Sequence, residues 1–386
     1  MKKVQDDQKT IEMLAAAVLA GEGRAHKDIK YLLGVSGSAV TRHLTKARKE
    51  FLREQVRFLS YKVPRATMEK VRRRLTQQPL QEKLEKLGRS QGRERAIRLR
   101  VFPCGGGGED RERMKKLGEF AAPVVRQLLL RSRSCGLTWG GMLKAVVTGL
   151  RDLPFPPPWR KTPIQCIPLS GEPLARDRAS FSSSSLARDL GIIINGDQYD
   201  APSLAMVPAF IPDAFRKHEQ EGVRNLIELV KSYHDIFGGQ GNGNSDTQTA
   251  KPKAMTLDMI LTSVGSLDKP LGFGRGVLFD EMSVSYQDLK SFLVAEVGGV
   301  CIPRPNLAAD KKEQFHKVQN SWTGLRLEHL MACAARGGGA LKGPPGVVVI
   351  SGGKGKASAV RELIKLGLVN YLLIDEVLAE ELDKES

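Results

Sequence analysis

Residues 25–50, AHKDIKYLLGVSGSAVTRHLTKARKE, restrict the fold of this chain more than any other stretch. Two short helical patterns flank a break at Leu33-Gly34-Val35-Ser36. Ile29 and Leu33, then Val40 and Leu44, stand four residues apart, so each helix has one apolar face to bury. Gly34 permits a sharp turn, and Ser36 is a good N-cap for the second helix. Residues 10–19 supply a third helix, with Ile11, Leu14 and Val18 on one side. Three helices with a glycine-containing turn predict a helix-turn-helix domain over residues 1–52. Its second helix presents Ser38, Thr41 and Arg42, with His43, Lys46, Arg48 and Lys49 beside and after them. Small polar side chains at a helix start, followed by bases, suit a major groove and its phosphates. Together with Ser36 they form the candidate DNA-binding set. The plainer reading of the same pattern is a helical hairpin with a solvated basic face.

Charge separates these readings. The formal net charge is +17, and residues 1–100 hold 25 Lys+Arg against 11 Asp+Glu, while the remainder holds 35 against 32. The positive field therefore lies on the segment with the helix-turn-helix pattern, which points to double-stranded DNA as a partner. No long apolar run or lipidation signal accompanies the charge, so a membrane partner is not expected. Cys104, Cys135, Cys166, Cys301 and Cys333 are scattered, with no Cys-x-x-Cys or Cys/His cluster. Neither a metal site nor a disulfide framework is expected. Residues 14–20 are too short and too amphipathic for a secretory leader, so a reducing cytoplasm is the expected compartment.

Residues 53–95 are basic and interrupted by Pro64 and Pro79, which predicts a helical linker. From residue 96 the texture changes. Strands are expected at 97–102, 163–169, 192–194, 255–262, 346–350 and 369–374. Helices are expected at 114–130, 141–150, 186–190, 223–237, 286–294, 357–366 and 377–382. This alternation predicts one α/β domain over 96–386, a mostly parallel sheet covered on both faces in three layers. Segments 154–159, 238–250 and 334–345 are rich in Pro, Gly or small polar residues and read as loops.

Ligands of such sheets bind at the carboxyl ends of the strands. Three junctions there suit an anion: Gly136-Leu-Thr-Trp-Gly-Gly-Met-Leu, Thr262-Ser-Val-Gly-Ser-Leu and Ser351-Gly-Gly-Lys-Gly-Lys-Ala. Each offers glycine backbone and hydroxyls or lysines, and the first and third open a helix. Ordinary glycine turns are the plainer alternative for any one of them. The spacing excludes a Walker loop, since Gly355-Lys356 lacks the upstream glycine and is followed by Ala357. No GxGxxG follows an expected strand. The histidines stand singly, and no catalytic set or cofactor motif emerges. Asp375-Glu376 ends a strand, where a carboxylate either holds sugar hydroxyls or caps the last helix.

Several of these residues resemble a known family. Ile29…Leu33-Gly34-Val35-Ser36…Val40-Thr41-Arg42…Leu44…Ala47-Arg48, the Leu84-Glu85-Lys86-Leu87 run and Gly136-Leu137-Thr138-Trp139-Gly140 carry the likeness. So do Leu204…Pro208-Ala209, Asp258…Val264-Gly265-Ser266 and Gly352-Gly353…Lys356-Ala357…Gly367-Leu368-Val369-Asn370-Tyr371-Leu372…Asp375-Glu376…Ala379. The pattern is similar to the SorC family of bacterial transcriptional regulators. That resemblance implies an effector domain similar to sugar-phosphate isomerases and deaminases, binding a phosphorylated sugar without turning it over. It also implies a homodimer or homotetramer on a palindromic operator. By position, Thr138, Gly140 and Gly141 are expected at the effector phosphate and Lys356 as its basic partner. Gly265 and Ser266 are expected to line the pocket, with Gly353 and Asp375 completing the set. Met142 stands where the family has Ser or Thr, and 297–303 departs from the family's segment. The competing function is a sugar-phosphate isomerase or deaminase, with Asp280, Asp375 and Glu376 as acid/base candidates.

Overall fold

The trihelical pattern closes on its own small core in a computed structural model of the chain. The structure describes residues 8–21, 26–33, 35–51, 78–89, 97–104, 110–153, 155, 162–172, 181–211, 217–238, 251–267, 286–337 and 343–384. Helices α1 (Gln8–Gly21), α2 (His26–Leu33) and α3 (Gly37–Phe51) pack together. Leu14, Ala15, Ala16 and Leu19 of α1 meet Ile29 and Leu33 of α2 and Val40 of α3. Ala47 of α3 packs on Met13 and Ala17 of α1, where small side chains let the two helices approach. The Ser36 hydroxyl accepts the Ala39 N–H at 3.2 Å, the N-cap expected from its position. Gly34 and the side chains of Ile11 and Val18 lie outside the described residues.

A further helix, α4 (Gln78–Arg89), precedes the sheet. The remaining elements follow in chain order: β1 (Arg98–Phe102), α5 (Asp110–Leu129), β2 (Ser134–Leu137), α6 (Gly141–Arg151), β3 (Gln165–Pro168) and α7 (Ser183–Asn195). Then come α8 (Lys217–Leu229), α9 (Lys231–Phe237), α10 (Lys253–Thr256), β4 (Met259–Ser266), α11 (Tyr286–Phe292), β5 (Leu293–Val297) and β6 (Val300–Pro303). Last are α12 (Ala309–Ser321), α13 (Leu327–Arg336), β7 (Gly346–Ser351), α14 (Ala357–Lys365), β8 (Tyr371–Asp375) and α15 (Glu376–Lys384).

The strands run β1-β8-β7-β4-β2-β3, every pair parallel. Alternation along each strand divides the core between the two faces. Val348, Ile350 and Leu373 pack under α5, α6 and α7. Val347, Val349 and Leu372 pack on the other side with residues of α13, α14 and α15. This is the expected three-layer α/β arrangement. The outer end of β4 turns away to pair antiparallel with β5, which pairs with β6. Among the described residues no helix is long and apolar enough to cross a membrane.

Several expected boundaries move. Helix α4 is not connector: Leu80 and Leu84 are buried in the same cluster as Val360, Leu363 and Ile364 of α14. The α/β body therefore includes Gln78–Arg89, which the linker expected over 53–95 had taken in; 52–77 lie outside the described residues. Ile192–Ile194 do not form a strand but the last turn of α7, because Ser182 caps that helix by accepting the Ser185 N–H and the helix runs on to Gly196. The apolar run 223–237 breaks at Val230 into α8 and α9. Residues 253–256 are a helical turn, and β4 starts only at Met259. The helix expected over 286–294 ends at Phe292 and passes directly into β5. Helices α12 and α13 had no counterpart among the expected elements, and α13 takes up the first residues of the loop expected at 334–345.

Candidate functional site

Two surfaces bear on function: the exposed side of α3 and the carboxyl rim of the sheet. On α3, Ser38, Thr41, Arg42 and Lys46 are all exposed, as is Ser36 at the cap. Their spacing of three to four residues draws them into one stripe. Thr45 belongs to that stripe and is also exposed; the same spacing rule would have found it in the sequence. The Ser36 and Ser38 hydroxyls lie 3.0 Å apart, and the Thr41 hydroxyl donates to the Gly37 carbonyl at 3.3 Å. His43 departs from expectation. It is 9% exposed, turned to the same side as Val40 and Ala47, so it is no phosphate contact on the outer face. The side chains of Arg48 and Lys49 lie outside the described residues.

At the sheet, chain order locates the crevice. From β2 the chain moves outward to β3, whereas from β4 it moves the other way, to β7 and β8. The gap between β2 and β4 is therefore the topological switch point, where open α/β sheets bind ligands. Thr138 directly follows β2 there, fully buried, and its hydroxyl donates to that of Thr262 on β4 at 3.1 Å. Gly140 follows with φ 117°, a conformation that favours glycine, and its N–H donates to the Phe181 carbonyl at 3.0 Å. A Cβ on Gly140 would stand 3.6 Å from the Ser263 hydroxyl. Gly141 opens α6, which has no side-chain cap, so the first N–H groups of the helix point out of the rim. Met142 is buried beneath it.

On the β7 side, Ser351 is fully buried and its hydroxyl has no hydrogen-bond partner among the described residues. Alternation along β7 turns it to the same face as Val347 and Val349, the face that also carries Val264 and the buried valines of β5 and β6. Lys356 stands at the N-cap of α14, again without a side-chain cap. Gly353 takes φ 84°, and its N–H donates to Asp375 Oδ2 at 2.8 Å. Asp375 Oδ1 accepts the Leu378 N–H at 2.9 Å. With both oxygens on backbone and no exposure, Asp375 caps α15 and latches the glycine loop; it is not placed to hold a ligand's hydroxyls. Burial holds its carboxyl above the usual carboxylate range, against the two N–H groups that pull it down. Glu381 adds a second latch, accepting the Gly355 N–H at 3.0 and 2.8 Å.

The β5–β6 hairpin covers the switch point. Its turn is Gly298-Gly299 with φ 58° and 94°, two left-handed residues in a two-residue loop. A Cβ on Gly298 would run into Thr138, and one on Gly299 into the Trp322 ring. Trp322 stacks edge-on to Trp139 with centroids 4.9 Å apart. Glu296 reaches back from β5: its Oε1 accepts the Trp139 indole N–H at 3.3 Å and the Gly299 N–H. Burial raises the Glu296 carboxyl to about 7, while these two donors and the Lys356 charge oppose the rise. Gly265 pairs with Glu296 across the strands. Ser266 is the last residue of β4, and its side chain lies outside the described residues.

The structure thus gathers Thr138, Gly140 and Gly265 at one crevice with Gly141 and Lys356 on its borders, and gives Gly353 and Asp375 a structural task. Sequence reading placed Thr262 and Ser351 at the heads of two junctions without assigning them to the site, and it missed Glu296. The Gly298-Gly299 pair between apolar residues is a hairpin signal that would have paired Glu296 with Cys301 on β6, while its place beside β4 is a long-range pairing.

No family model and no curated protein matches the chain. Solved structures share its fold. A DeoR family transcriptional regulator from Listeria monocytogenes superposes with a TM-score of 0.54 at 18% identity, over 78% of this chain and 97% of its own. The full-length sorbitol operon regulator SorC from Klebsiella pneumoniae gives 0.53 at 16% identity, over 97% and 99%. The sugar-binding domain of a transcriptional repressor from Vibrio fischeri gives 0.51 at 13% identity, over 80% and 98%. At these identities the fold is what is shared.

Proposed function

We propose that this chain is a DNA-binding transcriptional regulator controlled by a carbohydrate effector, a phosphorylated sugar held at the crevice between β2 and β4. The observation that carries the reading is the pairing of two surfaces in one chain. An exposed Ser38–Thr41–Arg42–Thr45–Lys46 stripe lies on a capped α3, and an α/β body holds buried hydroxyls at its switch point. Arg42, Thr41 and Ser38 read base edges, and Lys46 holds phosphate. Thr138, the uncapped start of α6 and Lys356 hold the effector's anionic group. The solved neighbours are named as transcriptional regulators, one of them as a sugar-binding domain, which supports both halves. The regulator works as a homodimer or homotetramer, since an inverted-repeat operator needs two recognition helices. Five free, buried cysteines fit work in a reducing cytoplasm.

Among the described residues, the acid/base candidates of the enzyme alternative are engaged by backbone groups. Asp375 is committed to backbone N–H groups, and Glu376 Oε2 accepts the Cys104 N–H at 2.7 Å. Asp280 lies outside the described residues.

A mobility-shift assay on the protein's own promoter region tests the first half. Binding to no fragment at low salt would overturn it. Thermal-shift screening of phosphorylated sugars tests the second, where an effector at 100 times its Kd adds ~2.7 kcal/mol.

A further inference from the structure

Glu296 lies on the hairpin that pairs with the outer end of β4 and packs its turn on Thr138 at the switch point. It is 7% exposed, and its Oε1 carries both of its hydrogen bonds. Its Oε2 lies over β4, where a Cβ on Gly265 would stand 2.7 Å away. The groups around it are few. Trp139, from the loop after β2, and Gly299, from the hairpin turn, supply neutral donors. Gly265 on β4 supplies no side chain. Cys301 on β6 faces it as a buried thiol, and Lys356 at the start of α14 supplies the one full positive charge that acts on it among the described residues. Burial disfavours the carboxylate; the Gly299 and Trp139 donors oppose it most, and Lys356, at the start of the helix that packs against β5, adds a smaller opposing charge.

We propose that the crevice takes up its anion together with one proton, which Glu296 holds. An anion drawn to Lys356 offsets one of the influences that favour ionised Glu296 and brings a like charge towards it, so both effects favour the protonated form. The reaction is Glu296 carboxylate plus anion plus a proton from solvent, giving Glu296 carboxylic acid beside the bound anion; one O–H bond forms and none breaks in the ligand. This inference rests on reading the crevice as an anion site, and it adds that the regulator's response depends on pH. Glu296 titrates near 7 before binding and higher after it. Affinity is therefore flat at pH values well below that point, where the proton is already present. It falls as pH rises through it, by up to about tenfold per pH unit.

Calorimetry of the full chain with inorganic sulfate tests this, because sulfate stays a dianion across the range from about pH 5.5 to 8.5. Titrations in two buffers of different ionisation enthalpy count the protons. The expected result is uptake approaching one proton per sulfate at about pH 8, with affinity falling between about pH 7 and 8. Glu296→Gln is expected to bind at pH 8 as the unchanged protein binds at pH 6, with a flat profile. Sulfate bound with flat affinity and no proton uptake overturns the proposal while leaving the anion site standing, as does an unchanged pH slope in E296Q. No sulfate bound at any pH overturns the anion site itself. Should E296Q fail to fold, the proton count on the unchanged protein decides.

Discussion

At the level of single residues, three positions carry separable tasks. Arg42 is exposed in the middle of the α3 stripe, so Arg42→Ala is expected to weaken specific operator binding by ~1–3 kcal/mol while leaving the melting temperature unchanged. A mobility-shift titration beside a thermal melt reads both. Gly299 combines φ 94° with contact against the Trp322 ring, so Gly299→Ala meets strain and a clash together. Its expected cost is about 2 kcal/mol or more in denaturant unfolding. Glu296 links stability to pH. Its folded-state value of about 7 exceeds the ordinary 4.5, so the folded chain holds a proton that the unfolded chain releases between those values. Stability contributed by this group is full below about pH 4.5 and is lost as pH rises through 7, on the order of 3 kcal/mol in all. Comparing urea midpoints of E296Q and the unchanged protein at pH 5 and 8 checks the sign: the difference should move in favour of the variant at the higher pH.

Among the elements, α4 shows where linear reading stops. Its basic residues suggested a solvated connector, yet Leu80 and Leu84 insert beside α14 and Lys83 pairs with Asp383 of α15 at 2.5 Å. Leu84→Ala is expected to destabilise the body by about 2–5 kcal/mol, as a buried leucine does, where a connector residue would change it by less than about 0.5. Chemical denaturation distinguishes the two. Helices α14 and α15 in turn border the glycine loop through Lys356, Asp375 and Glu381. The helix-turn-helix elements were legible in advance because each buries a face set by i,i+4 spacing alone. The strand expected at 192–194 was wrong because three isoleucines look β-prone in isolation, while the capped α7 before them extends through the run.

For the whole molecule, the uneven charge governs association with DNA. Most of the +17 lies in residues 1–100. Operator affinity is therefore expected to fall steeply and linearly on a log–log plot against salt, with a slope of about −0.9 per phosphate neutralised. A flat plot from filter binding would remove phosphate contacts from the account.

Periodicity and composition alone determined a cationic three-helix head, a parallel three-layer α/β body and glycine-rich junctions at its strand ends, because each follows from neighbours a few residues apart. The tertiary structure alone decided which junctions meet. Thr138 finds Thr262 across 124 residues, Asp375 turns to the backbone of Gly353, and Glu296 is carried under Trp139 by a hairpin pairing. Strand order and register make those contacts, and they depend on how distant segments share the burial of one sheet, which no local pattern encodes.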